Sequence, residues 1–115
     1  MRVFIVFGQT GEYSDHSTWP VRGFLDKARA EAFEFDLTKA AKAFHDENQA
    51  RRKAFRHECR DNAASELSGP GADRFYKELA AWRAPVEAEL KKRDPDFSYD
   101  YTGTDYYTVE VEVEP

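Results

Sequence analysis

Arg2-Val3-Phe4-Ile5-Val6-Phe7, running straight into Gly8-Gln9-Thr10-Gly11-Glu12-Tyr13-Ser14-Asp15-His16-Ser17-Thr18-Trp19, is the stretch from which the rest of the chain can be placed. The first six residues are β-branched and aromatic. In extended form they put Val3, Ile5 and Phe7 on one side and Phe4 and Val6 on the other. Apolar side chains on both sides describe a central strand covered on both faces. The following dozen residues gather glycines, carboxylates, hydroxyls, a histidine and two aromatics into a polar loop, where sites are commonly built. Trp19-Pro20-Val21-Arg22-Gly23-Phe24-Leu25 then reads as an antiparallel return, with Pro20 marking an edge or a strand start.

Asp26 is placed to cap a helix through its side-chain oxygen. From Lys27 to about Ser65 the chain is alanine-rich, charged and free of proline and glycine, which predicts one long helix. Phe33, Leu37, Ala40, Ala41 and Phe44 form its apolar stripe. About 39 residues would extend roughly 58 Å, whereas six strand residues span about 20 Å. The helix is therefore expected to project past the sheet. Ser68-Gly69-Pro70-Gly71 stops it, and Asp73 is placed to cap a second helix with Phe75, Leu79, Trp82, Val86 and Leu90 on one stripe. Pro85 should kink that helix or restart it. Across the hairpin this register pairs Phe55 with Trp82, Cys59 with Leu79, and Leu67 with Phe75. Asp96 to Asp105 reads as a polar surface loop. Tyr106 to Glu114 alternates Tyr107, Val109, Val111 and Val113 with Thr108, Glu110, Glu112 and Glu114, a strand whose tyrosine–valine face should be the buried one.

The predicted architecture is one α+β domain, residues 1–115. It has a small three-stranded antiparallel sheet (β-β-α-α-β), the first strand central, and a long helical hairpin.

Composition narrows the function classes. With 41% hydrophobic and 15% aromatic residues the chain is that of a folded domain, and a formal net charge of −5 argues against direct nucleic-acid binding by overall attraction. The single cysteine, Cys59, fits a reducing cytoplasm. The N-terminal apolar run is too short for a signal core or a membrane span. Charge is unevenly spread: five basic residues face one glutamate between Arg51 and Arg60, and seven acidic residues with no Lys or Arg run from Asp94 to the end.

The opening strand, Thr10-Gly11-Glu12-Tyr13-Ser14-Asp15 with Trp19, the helix start Leu25-Asp26-Lys27-Ala28 and the closing Tyr107-Thr108-Val109-Glu110-Val111-Glu112 together resemble small uncharacterised proteins of tailed phages and prophages. The resemblance covers both ends, about 40 residues, and leaves the helical middle unmatched. It implies a phage-type accessory protein that binds a host component, such as an inhibitor of a host defence or nucleic-acid-handling system, and it implies no activity.

The candidate sites are three. Glu12, Tyr13, Asp15, His16 and Trp19 form the loop set. Carboxylates beside a histidine suit general acid–base work, but Ser14 and Asp15 also suit plain turn bonds to backbone amides. Gly8 and Gly11 lack the lysine of a phosphate-binding loop. Arg52, Arg56 and Arg60 make a basic line at i, i+4, i+8, either a surface for nucleic acid or an acidic partner or a solvated face paired to Asp46, Glu47, Glu58 and Asp61. Glu110 and Glu112 either guard an exposed edge or, with the neighbouring carboxylates and tyrosines, imitate a phosphate track. His16, His45, His57 and Cys59 match no zinc spacing. No metal or cofactor is expected.

The preferred reading is therefore a cytoplasmic, non-enzymatic protein that binds a host protein stoichiometrically. A small hydrolase-like enzyme centred on loop 8–19 would instead need Glu12, Asp15 and His16 to converge on one cleft. A self-associating structural protein is the third class. Phe33, Phe35 and Phe44 exceed what one helix stripe can bury, which suggests a homodimer through the helices.

Overall fold

The computed structural model describes residues 1–61 and 70–114, with side chains for 1–56 and 71–114. Strand β1 (Arg2–Thr10) is followed by a 3-10 turn (Tyr13–Asp15), β2 (Ser17–Phe24), α1 (Lys27–Asp61), α2 (Pro70–Arg93) and β3 (Thr104–Glu112). The sheet is antiparallel in the order β2-β1-β3. The fold is thus the expected α+β arrangement, with the first strand central.

The strands are longer than their apolar runs. β1 continues through Gly8, Gln9 and Thr10, so the polar loop contracts to Gly11–His16. Gly8 is a packing position: a Cβ there would lie 2.6 Å from the Trp19 indole, which crosses the strand at that point. Between Val6 and Phe7 the β2 register slips by one residue, giving a bulge at Val21. Asp26 caps α1 as its side chain predicts, Oδ1 accepting from Ala28 N at 2.9 Å. α2 begins at Pro70 rather than Asp73, because proline suits a first helical turn. It then runs on through Pro85, neither stopping nor restarting there.

One face of the sheet carries the core. Phe4, Val6 and Tyr106 point to the helices and meet Ala30, Leu37, Ala41, Phe44, Leu90 and Phe97. Phe44 is the hub, with Trp82 stacked on it at 5.6 Å and Phe97 and Tyr99 edge-on at 5.8 and 4.8 Å. The segment after α2 is therefore no simple surface loop. Phe97 is buried and Tyr99 packs on the core, because their rings find Phe44. At its start Asp94, fully buried, accepts from Trp19 Nε1 (3.0 and 2.9 Å) and from Tyr106 Oη (2.8 Å). This one carboxylate joins β2, β3 and the end of α2. Burial and the adjacent carboxylate push the Tyr106 hydroxyl pKa far up.

The 35-residue α1 outruns the sheet, and the molecule extends 66 × 28 × 17 Å. In the projecting arm Phe55 stacks on Phe75 at 4.2 Å, while Trp82 takes Phe44 on one side and the Arg51 guanidinium, 4.7 Å from its centre. This corrects the expected Phe55–Trp82 contact. The partner of Phe55 on α2 thus lies seven residues, about two turns, before Trp82. Of the other expected partners, the Cys59 side chain and the whole of Leu67 lie outside what the structure describes. No helix among them is long and apolar enough to cross a membrane.

Candidate functional site

Three surfaces come out of this architecture. The first is a cleft of about 430 Å³ at the loop end of the sheet, between α1, the end of β1 and the Thr102–Asp105 turn. Thr38, Lys42 and His45 line it from α1, and Glu12 and His16 from the loop. The backbone around it is pinned. Thr10 Oγ1 donates to Gly103 O (2.8 Å) and accepts from Asp100 N (3.0 Å). Gly103 has φ +91°, and a Cβ there would sit 3.2 Å from the His45 ring. Only glycine combines that dihedral with that approach.

The cleft's polar groups are mostly committed elsewhere. Asn48 Nδ2 donates to Tyr99 Oη at 3.0 Å, and Tyr99 Oη lies 3.0 Å from His45 Nδ1. Tyr99 Oη thus ties Asn48 to His45 across the floor of the cleft. Burial raises the Tyr99 pKa, partly offset by the Asn48 bond. Lys42 is held by Asp46 at 2.7 Å, and His16 Nε2 meets Gln9 Oε1 at 3.4 Å. Glu12 and His16 share the cleft but Asp15 does not line it. Asp15 instead closes the 3-10 turn, its amide donating to Glu12 O at 3.0 Å. The convergence an enzyme would need is two residues out of three, and His16's hydrogen-bonding neighbour is an amide, not a carboxylate. Among the described residues no group of three or more His, Cys, Asp or Glu is placed to hold a metal ion.

The second surface is the arm. Arg52 and Arg83 line a groove between α1 and α2 with Tyr76 and Leu79. Arg56 is exposed on the same helix, and the Arg60 side chain lies outside the described residues. Of the acids that might have neutralised this line, Asp46 pairs with Lys42 and Glu47 with Arg51 at 2.9 Å.

The third surface was not identified from sequence as a site. β3 alternates as expected, but its buried residues are Thr104 and Tyr106, not the valines. Register puts Val3 opposite Val111, Ile5 opposite Val109 and Phe7 opposite Tyr107 on the sheet face that carries none of the core. Val109 remains 37% exposed and Val113 38%. Alternation fixes a period of two, and says nothing of which side the helices take.

Of the loop candidates Tyr13 is 95% exposed, and Glu12, Asp15 and His16 are also at the surface. Trp19 is a correction: it is 9% exposed and bonded to Asp94, so it is a core residue and not a contact for partners. Glu110 and Glu112 pair with Arg2 at 3.1 and 3.5 Å beyond the helix cover.

Family models, curated proteins and solved structures yield no match to this chain.

Proposed function

We propose that this is a non-enzymatic protein that acts by stoichiometric binding to a protein partner. On the phage-type resemblance of its two ends, the partner is a host protein, and the outcome is inhibition of a host defence or nucleic-acid-handling system in the host cytoplasm. The lone cysteine fits that compartment. Homodimerisation belongs to the same proposal.

The observation that supports this reading best is the arm. A helical pair standing clear of the sheet, with Arg52 beside the exposed Tyr76 and Arg56 exposed one turn further along α1, has the residue types enriched at protein interfaces and the charge to meet an acidic surface. The cleft supports catalysis less well, since its histidines lack a bonded carboxylate.

The test is affinity capture from a bacterial host lysate, followed by gel filtration of the purified complex. A single partner at fixed stoichiometry is expected, lost in Arg52→Glu/Arg56→Glu and weakened by salt. Retention of the partner by that double variant would move the binding surface off the arm. A substrate turned over by the wild type and lost in Glu12→Gln/His16→Ala would overturn the binding reading.

A further inference from the structure

The sheet face that no described helix covers has a more specific use. β1 is apolar on both sides, the pattern of a strand with a layer above and below. Its even-numbered residues receive α1 and α2. Its odd-numbered residues Val3, Ile5 and Phe7 lie flush with Tyr107, Val109 and Val111 and join no part of the core. Phe7 and Tyr107 stack at 5.6 Å, nearly parallel, so they present a smooth ridge. Register and alternation put no lysine or arginine among the residues that pair on this face. Its one charge is Asp105, which pairs with Gln9 at the end where Gln9 also meets Thr18.

We infer that this face is the contact between two copies of the chain, stacked sheet on sheet. Charge permits a second copy as the occupant only through such a face. Each chain carries a net charge of −5, so copies repel at most approaches and least through a face without charge at its centre. Shape favours it, because two identical sheets can pack face to face about 10 Å apart in a closed two-fold contact. Size then sets the strength. Three strands about 4.8 Å apart and about seven residues long give a footprint of roughly 330 Å² per copy. Rolled over ridged side chains, two such faces bury on the order of 1,000 Å² in total, at the lower limit of specific interfaces. The dimer should therefore form over micromolar to high-micromolar concentrations.

The helices are not its basis. Phe44 is buried and Phe33 packs on Phe24 at 5.3 Å, which leaves only Phe35 of the three aromatics exposed. The inference deepens the homodimerisation proposed above by naming its face, and it stands without the host-binding reading. If both hold, the dimer presents two arms, and binding through both gains by effective concentration.

Sedimentation equilibrium from about 1 to 300 µM tests it. The average mass should climb from the 13.3 kDa of one chain towards twice that value, more steeply at high salt, where repulsion between acidic copies is screened. Val109→Lys, at a half-exposed edge position, should weaken association at least tenfold with an unchanged circular dichroism spectrum. Phe35→Ser, on α1, should leave it unchanged. A constant mass of one chain throughout would overturn the inference. So would a dimer that persists in Val109→Lys and disappears in Phe35→Ser, which would place the contact on the helices. Loss of a captured host partner from Val109→Lys, with no dimer in the wild type, would assign the face to that partner instead. Loss of the partner from Arg52→Glu/Arg56→Glu with the dimer intact would leave this inference standing.

Discussion

Replacing Asp94 by alanine should be among the most damaging single changes outside the apolar core. The carboxylate is fully buried and accepts from the Trp19 indole and the Tyr106 hydroxyl. Truncation leaves two buried donors without an acceptor, at about 1–3 kcal/mol each, so about 2–6 kcal/mol in all. A 115-residue domain has roughly 6–17 kcal/mol of stability to lose, from about 0.05–0.15 kcal/mol per residue. Asp94→Asn should cost less. Its carbonyl still accepts from Trp19, and Tyr106 can turn to accept from the amide, leaving one hydroxyl hydrogen stranded at about 1–3 kcal/mol. Urea titration followed by far-ultraviolet circular dichroism separates the cases. At a slope of about 2 kcal/mol per molar, a 4 kcal/mol loss moves the midpoint by about 2 M. A shift under about 0.5 M for Asp94→Ala would refute the reasoning, since it would mean that water reaches the two donors. A cycle of Asp94→Asn with Trp19→Phe should show coupling beyond additivity.

Three further outcomes follow from the packing. Gly8→Ala drives a methyl to 2.6 Å from the indole, and should cost about 1–3 kcal/mol in thermal stability, less in a Trp19→Leu background. Phe44→Ala empties the site where Trp82, Phe97 and Tyr99 converge, and should cost about 3–5 kcal/mol by urea titration. Alkaline pH should destabilise the fold through Tyr106. Its folded pKa is raised, so the folded state holds a proton that the unfolded state gives up above pH about 10, and stability is intact below that value. Above it stability should fall by about 1.4 kcal/mol per pH unit from this group, and a Tyr106→Phe variant should show a shallower decline.

Much of the fold was legible because it rests on local chemistry. Asp26 caps a helix wherever a helix follows it, and Leu37, Ala41 and Phe44 mark one stripe whatever they pack on. What stayed hidden depended on long-range choice. Val109 and Val111 read as buried because they are apolar, yet the helices settle on the side of Phe4, Val6 and Tyr106. Asp96 to Asp105 reads as polar, yet Phe97 and Tyr99 reach a ring more than 50 positions away. The hairpin register depends on where the chain turns, and a glycine–proline stop marks a turn without fixing which residues of the two helices face each other. The cleft had a faint signal in Thr38, Lys42 and His45, spaced 4 and 3 along α1 beside the core stripe. Neither that spacing nor any motif said that Gly103 would close over them.

The central position of β1 has a consequence for how the chain reaches its native state. β2 lies a short turn away, but β3 pairs with β1 across both helices, as in Phe4 opposite Glu110. Closing a loop of roughly 100 residues costs about 4 kcal/mol of chain entropy, against about 2 kcal/mol for one of roughly 10. The β1–β2 ribbon should therefore form early and wait. Until β3 arrives, the open edge of β1 offers unpaired amides and carbonyls beside Val3, Ile5 and Phe7, an invitation to foreign strands. On the ribosome that wait lasts while about 80 residues are made, several seconds or more at about 5–20 residues per second. Aggregation of this protein should thus depend on how quickly its last strand is delivered, and truncation before Thr104 should be far more harmful to solubility than to helix content.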